Sequence, residues 1–194
     1  MMKKYELMEN DTIQIGTTTL YRIKALKGFS DVKAGDLGGY VEKEENLSHE
    51  GNCWIYDNAK VFMDAEVYDD ATVYGNSEIY WNAKVYGNAH VSDNATVYGC
   101  ARISDHAQVS KYAKVGSYAT VYDNAVITGN AEVAGYASVY DSAYVHGHTN
   151  IVGEAKVYGN VIIGGYTLVN GYARIHGKIF VSGDAVISGN REVC

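Results

Sequence analysis

A chain of 194 residues, 47% hydrophobic and 20% charged, has the apolar content for one sizeable core. Disorder and membrane classes do not fit, since no stretch approaches the roughly 20 apolar residues of a spanning helix, and a net charge of −7 with a pI near 5.3 argues against nucleic acid, whose phosphates call for clustered Lys and Arg. The informative bias is 18 Tyr and 21 Gly beside 0 Pro, 3 Phe and 2 Trp, which points to one short motif copied many times.

At the N-terminus, Met1 to Leu7 carries basic residues with no apolar run behind them, so no secretory signal is expected. Next, Thr12–Ile15 and Leu20–Ala25, separated by Gly16–Thr19, predict a β-hairpin. Ala34–Val41 reads as a turn-rich bridge. Leu37, Val41 and Leu47 are expected in inward slots of the repeat that follows, whereas Lys43 and His49 stand where later copies hold Ile or Val. Residues 1–46 are therefore expected to form an N-terminal β-hairpin cap and ramp that covers the bare strand edge of a repeat domain spanning 47–194.

Every sixth residue from Ile55 to Val193 is Ile or Val, 24 positions without a break. Two residues before each lies a second register, starting at Cys53 and Ala59, in which 17 of 24 positions are Ala. A separation of two puts both side chains on one face of a strand, so each hexad supplies a short strand with a small and a β-branched residue pointing inward. The rest of the hexad is turn chemistry, as in Asp57-Asn58, Gly75-Asn76 and Gly159-Asn160. A helix is excluded, because a period of six does not keep one face of a 3.6-residue helix buried.

The motif, as in Val85-Tyr86-Gly87-Asn88-Ala89-His90, resembles the hexapeptide repeat of left-handed β-helix proteins over roughly residues 53–194. That resemblance implies an all-β, left-handed parallel β-helix with three hexads per triangular coil. Twenty-four hexads then make about eight coils, a rod on the order of 38 Å long at about 4.8 Å per coil. Together with Leu20-Tyr21-Arg22-Ile23, Ala34 to Val41 and Gly51-Asn52-Cys53-Trp54, the repeat is similar to bacterial and phage proteins labelled polymer-forming proteins or transferases. At the far end Arg191 stands in an inward small slot and Lys178 at a corner, charges that discourage strand addition.

Many left-handed β-helix proteins are acyltransferases, which implies a histidine base near a groove between subunits, usually beside a loop extruded from one coil and a C-terminal helix. The unbroken register has no such loop, and His146 and His148, flanking Gly147, are the weak catalytic candidates. Tyr68 and Tyr86, then Tyr122, Tyr140 and Tyr158, recur at intervals of 18 as an outward ladder interrupted by Ser104, a candidate platform for sugars or protein. Corner carboxylates such as Asp57, Asp69, Asp105 and Asp123 read as turn residues, and no metal site or cofactor is expected. Cys53, Cys100 and Cys194 are far apart and unpaired in pattern, which suits a reducing cytoplasmic setting.

Sorting the outward mid-strand residues by 18 gives three columns. The third turns apolar at Val126, Tyr144, Ile162 and Phe180, with Leu168 and Val186 alongside, and is read as a homo-oligomer interface of a dimer or trimer. The favoured function is a non-catalytic, self-associating scaffold presenting a flat surface to a macromolecule, in a phage setting a host protein, with no catalytic residue assigned. The alternatives are a hexapeptide-repeat acyltransferase and a glycan or small-ligand binder using the Tyr ladder.

Overall fold

The computed structural model describes residues 3–194; Met1 and Met2, the start of the segment read as lacking a secretory signal, lie outside the described residues. From Trp54 onward each hexad becomes a two-residue strand and a corner, 24 strands ending at Glu192–Val193. They distribute over three parallel sheets, eight to a sheet, because each strand pairs with the one three hexads later, as Lys60 with Glu78 and Val61 with Ile79. The ladder is carried by backbone N–H groups donating to carbonyls one coil on, Lys60 to Ser77 at 2.9 Å and Phe62 to Ile79 at 3.1 Å. The protein is thus an all-β parallel solenoid. Among the described residues the only helical turn is a 3-10 turn at Glu44–Asn46.

The inward registers behave as their chemistry requires. Ile55 through Ile175 in the aliphatic register are buried throughout, and only Val181 and Val193 in the last coil are partly open. Where the small slot is polar, the hydroxyl is satisfied locally: Ser77, Thr149 and Thr167 each donate to the carbonyl three residues back, at 2.7 to 2.8 Å. Such a bond removes the penalty of a buried hydroxyl.

At the corners the left-handed residue is the first of each pair: Asp57 (φ 54°), Gly75 (φ 69°), Asp93 (φ 62°). Glycine is needed where coils close tightly, since a Cβ on Gly129 would lie 2.9 Å from the Gly147 nitrogen. Asp offers a different device. The Asp57 carboxylate accepts the N–H of Gly75 at 3.0 Å, and Asp141 that of Gly159 at 2.9 Å, each one coil on. Trp81 and Lys111 hold φ of 62° and 60° with neither advantage.

The cap differs in detail from its sequence pattern. β1 (Tyr5–Ile15) and β2 (Thr18–Ala25) pair antiparallel, so the first strand begins well before Thr12 and the turn shrinks to Gly16 and Thr17. β3 (Leu37–Val41) runs antiparallel to β2 and parallel to Lys60–Val61, which joins cap and solenoid in one sheet. Leu37 is not an inward residue but 53% exposed. The reason is a change of register: Val41 pairs with Val61 and Leu47 with Val67, twenty residues on, where every later coil takes eighteen. Val41 and Leu47 therefore occupy aliphatic slots, and Gly39 takes the small slot opposite Ala59, whose carbonyl oxygen a Cβ would meet at 2.4 Å. Lys43 instead reaches Asp64 at 2.7 Å, and His49 packs on Tyr5 with ring centroids 4.4 Å apart.

The open end of the first coil is plugged by Lys4. Its buried ammonium donates to the carbonyls of Cys53 at 3.0 Å and Glu50 at 3.3 Å and lies 3.2 Å from the Cys53 sulfur. Burial lowers the Lys4 pKa and raises that of the Cys53 thiol. At the opposite end Arg191 and Lys178 are both exposed.

Val121 lies at 0% exposure in the middle of the rod. Val121→Asp is expected to cost about 3 kcal/mol or more, because the carboxylate would be buried without a partner, and denaturant unfolding checks it. Lys111→Gly is expected to stabilise by about 0.5 to 1 kcal/mol, since relief of the left-handed backbone exceeds glycine's entropy cost; a melting temperature that rises checks it.

Candidate functional site

With the interior filled by the repeat, chemistry is confined to outward residues. The first and second faces are polar for most of their length and pair opposite charges between neighbouring coils, Lys60 with Glu78 at 2.8 Å and Lys84 with Glu66 at 3.1 Å. The third face is different. Its rungs run Trp54, Thr72, His90, Gln108, Val126, Tyr144, Ile162 and Phe180, each paired to the next in parallel register.

The structure gathers Tyr144, Ile162 and Phe180 into an open groove of about 790 Å³, bordered by Ser142, Asn160 and Lys178 at the preceding corner. Tyr144 and Ile162 are each 41% exposed and Phe180 66%. Val126 is only partly accessible, although it continues the same column. Leu168 and Val186 pair with each other on the first face, where Val186 is exposed and Leu168 half-buried.

His146 does not line the groove but lies next to Tyr144, which does. Its ring centroid is 5.3 Å from that of Tyr144, and the ring lies over Gly164, where a Cβ would come within 2.3 Å of it. Glycine at 164 thus makes room for the imidazole. His148, two residues on, turns away and stacks flat on Tyr166, centroids 4.8 Å apart at 4°. The two histidines are therefore not equivalent: one lies beside Tyr144 over Gly164 and the other belongs to a corner stack. Sequence reasoning named both and missed what separates them. The usable signal was Gly164, one coil after His146 in a column that elsewhere holds a side chain.

The tyrosines at intervals of 18 stack as flat ladders: Tyr68 on Tyr86 at 4.9 Å, Tyr122 on Tyr140 and Tyr140 on Tyr158 at 4.9 Å, with His176 extending the second stack at 4.9 Å. Ser104 between the two stacks is buried. Burial, reinforced by the neighbouring phenols, raises the pKa of Tyr68, Tyr122 and Tyr140 above the ordinary tyrosine value, so these hydroxyls stay protonated at neutral pH. Among the described residues no three His, Cys, Asp or Glu side chains converge as metal ligands, and no helix is long and apolar enough to cross a membrane.

No protein-family profile matches the chain. Over 74 residues it is 42% identical to an Escherichia coli (strain K12) protein described as uncharacterized acetyltransferase YdcK. The match covers 34% of this chain and 23% of that protein, so the chain spans about a quarter of its relative's length. This likeness backs the acyltransferase alternative better than the scaffold reading that the sequence favoured.

Proposed function

We propose that the chain is a left-handed hexapeptide-repeat solenoid of the acyltransferase class, working in the cytoplasm as a homo-oligomer. The observation that carries the reading is the shared stretch with an acetyltransferase in a chain whose fold is a parallel β-solenoid. The groove of Tyr144, Ile162 and Phe180 offers an apolar bed for the chain of an activated acyl donor, and Lys178 at its rim offers a charge for an anionic donor group. In this reading the acyl group moves from a thioester sulfur to an acceptor hydroxyl or amine, and His146, beside Tyr144, takes the acceptor's proton and passes it to the leaving thiolate. His148, engaged with Tyr166, has no part in the step.

A second reading, the self-associating scaffold, is supported by the unbroken register: no coil extrudes a loop to wall off water around His146. A phage-type scaffold facing a host protein belongs to this second reading. In this second reading the apolar column Val126, Tyr144, Ile162 and Phe180 is the seam between copies, since a contiguous exposed apolar strip favours association.

Acetyl-CoA with a panel of amine and hydroxyl acceptors is the decisive assay. Saturable release of the CoA thiol is expected, abolished in His146→Ala and kept in His148→Ala. If calorimetry shows no acetyl-CoA binding and no turnover appears, the scaffold reading replaces it. In the scaffold reading light scattering is expected to show an oligomer for the wild type and a monomer for Ile162→Lys with Phe180→Lys; an unchanged mass in the double variant places the seam elsewhere and leaves the strip open to a donor.

A further inference from the structure

The polar end of the third face holds a second recess that the groove at Tyr144 does not explain. The loop between β2 and β3 folds over the first rung, with Phe29 packed edge-on against Trp54 at 5.3 Å and closed by reciprocal backbone bonds between Phe29 and Val32. Its outer edge is fastened by the Tyr56 hydroxyl, which donates to Asp31 Oδ1 at 2.7 Å. Where this loop stops, the face drops by one coil and leaves a recess of about 510 Å³.

The floor of the recess is Thr72 and His90, joined through Thr72 Oγ1 and His90 Nδ1, and His90 Nε2 has no hydrogen-bond partner among the described residues. One wall is Tyr74, stacked at 4.5 Å on Tyr56 on its cap side; the next residue in its column is Ser92, too small to stack on it, and the His90 ring lies 6.5 Å away, tilted by 35°. The opposite wall is the corner of Asp70 and Asn88. Asp70 Oδ1 is engaged by the backbone and side-chain N–H groups of Asn52, at 3.1 and 2.8 Å, and Asp31 Oδ1 by Tyr56. The second oxygen of each carboxylate has no such partner among the described residues.

These groups select a ligand by elimination. No Lys or Arg lines the recess, so a phosphate or other anion would meet two carboxylates with no cation beside them in the lining. The lining is too polar for a lipid chain. Two free carboxylate oxygens, an amide and an imidazole nitrogen around an open aromatic face suit a ring with several hydroxyls and an apolar face, and the surplus negative charge favours an amine on it.

We propose that this recess is a saccharide site that takes a neutral or amine-bearing sugar, held between Asp31 and Asp70 against the face of Tyr74. It lies on the same face as the apolar groove but at the other end, and it does not depend on acyl transfer.

Calorimetric titration with four probes tests it: a β-1,4-linked glucosamine trimer, maltotriose, trigalacturonate and spermine. The glucosamine trimer is expected to saturate one site, maltotriose to bind more weakly, and trigalacturonate and spermine not to bind there. Asp31→Asn with Asp70→Asn is expected to weaken the glucosamine trimer about tenfold or more and maltotriose by less, since both lose a hydrogen bond to a charged group but only the amine loses an opposite charge as well. Tyr74→Leu is expected to weaken both sugars. Asn88 is an exposed corner residue, so Asn88→Ala reports on the site without touching the core. The proposal fails if neither sugar saturates, if trigalacturonate binds as well as the glucosamine trimer, if spermine displaces it, or if all three variants bind as the wild type does.

Discussion

Every coil of this protein rests on a copy of itself, and that constraint shapes the whole molecule. The ladder of backbone N–H groups donating to carbonyls one coil on sets a spacing that the ring stacks report as 4.9 Å. At that distance a side chain's nearest neighbour is the residue eighteen positions away, so a residue type is acceptable only if it tolerates its own column. Val and Ile do, by interlocking; Tyr does, by offset of flat rings; Gly does at the corners, by having nothing to clash. Charges are handled in several ways. Lys60 and Glu78, or Glu66 and Lys84, alternate sign; Lys84 beside Arg102 and Lys156 beside Arg174 stand as like-charged neighbours on the exposed face; and the successive corner residues Asp123 and Asp141 each hand a carboxylate oxygen to the N–H of the next coil.

The ends break that rule, because an end coil has a neighbour on one side only. At the N-terminal end β1 and β2 supply an antiparallel edge and Lys4 donates to carbonyls that the missing preceding coil would have paired. An ammonium is suited to this, having three donors and a long stem that packs among apolar groups. The cost of burying it appears as its lowered pKa. At the other end the last coil has partly open inward residues, Val181 and Val193, and an exposed Arg191 in what had been an inward slot.

How much of this was legible in the sequence follows from the same physics. Columns spaced by 18 can be read from a string of letters wherever the period holds, and so the apolar turn of the third face and the Tyr68, Tyr86 and Tyr122, Tyr140, Tyr158 stacks were readable before any coordinates. The first coil was not. Its two surplus residues, between Leu47 and Ile55, leave no mark in composition, and they moved Leu37 outward and put Gly39 in a slot that Ala fills elsewhere. The Lys4 plug joins residues 49 apart through carbonyls, which carry no sequence signal at all. The contrast between His146 and His148 was half legible: both were visible as corner histidines, but only packing shows one ring over Gly164 and the other flat on Tyr166.

A solenoid built from one repeated hexad places its function where a column stops resembling itself. Columns that continue, such as the Val and Ala registers or the Tyr122 stack, are explained by stacking alone. The third face departs from self-similarity twice. Near the cap it presents Thr72 and His90 beside the last ring of a short stack that ends at Ser92. Four coils further on, His146 leans into the gap left by Gly164 beside three consecutive apolar rungs. Neither departure improves packing: a tyrosine at 92 would extend the Tyr56 stack, and a polar residue at 162 or 180 would suit water better. Residues that forgo an available stabilising contact need another reason to be there, and binding at the surface is the reason proposed above for both departures.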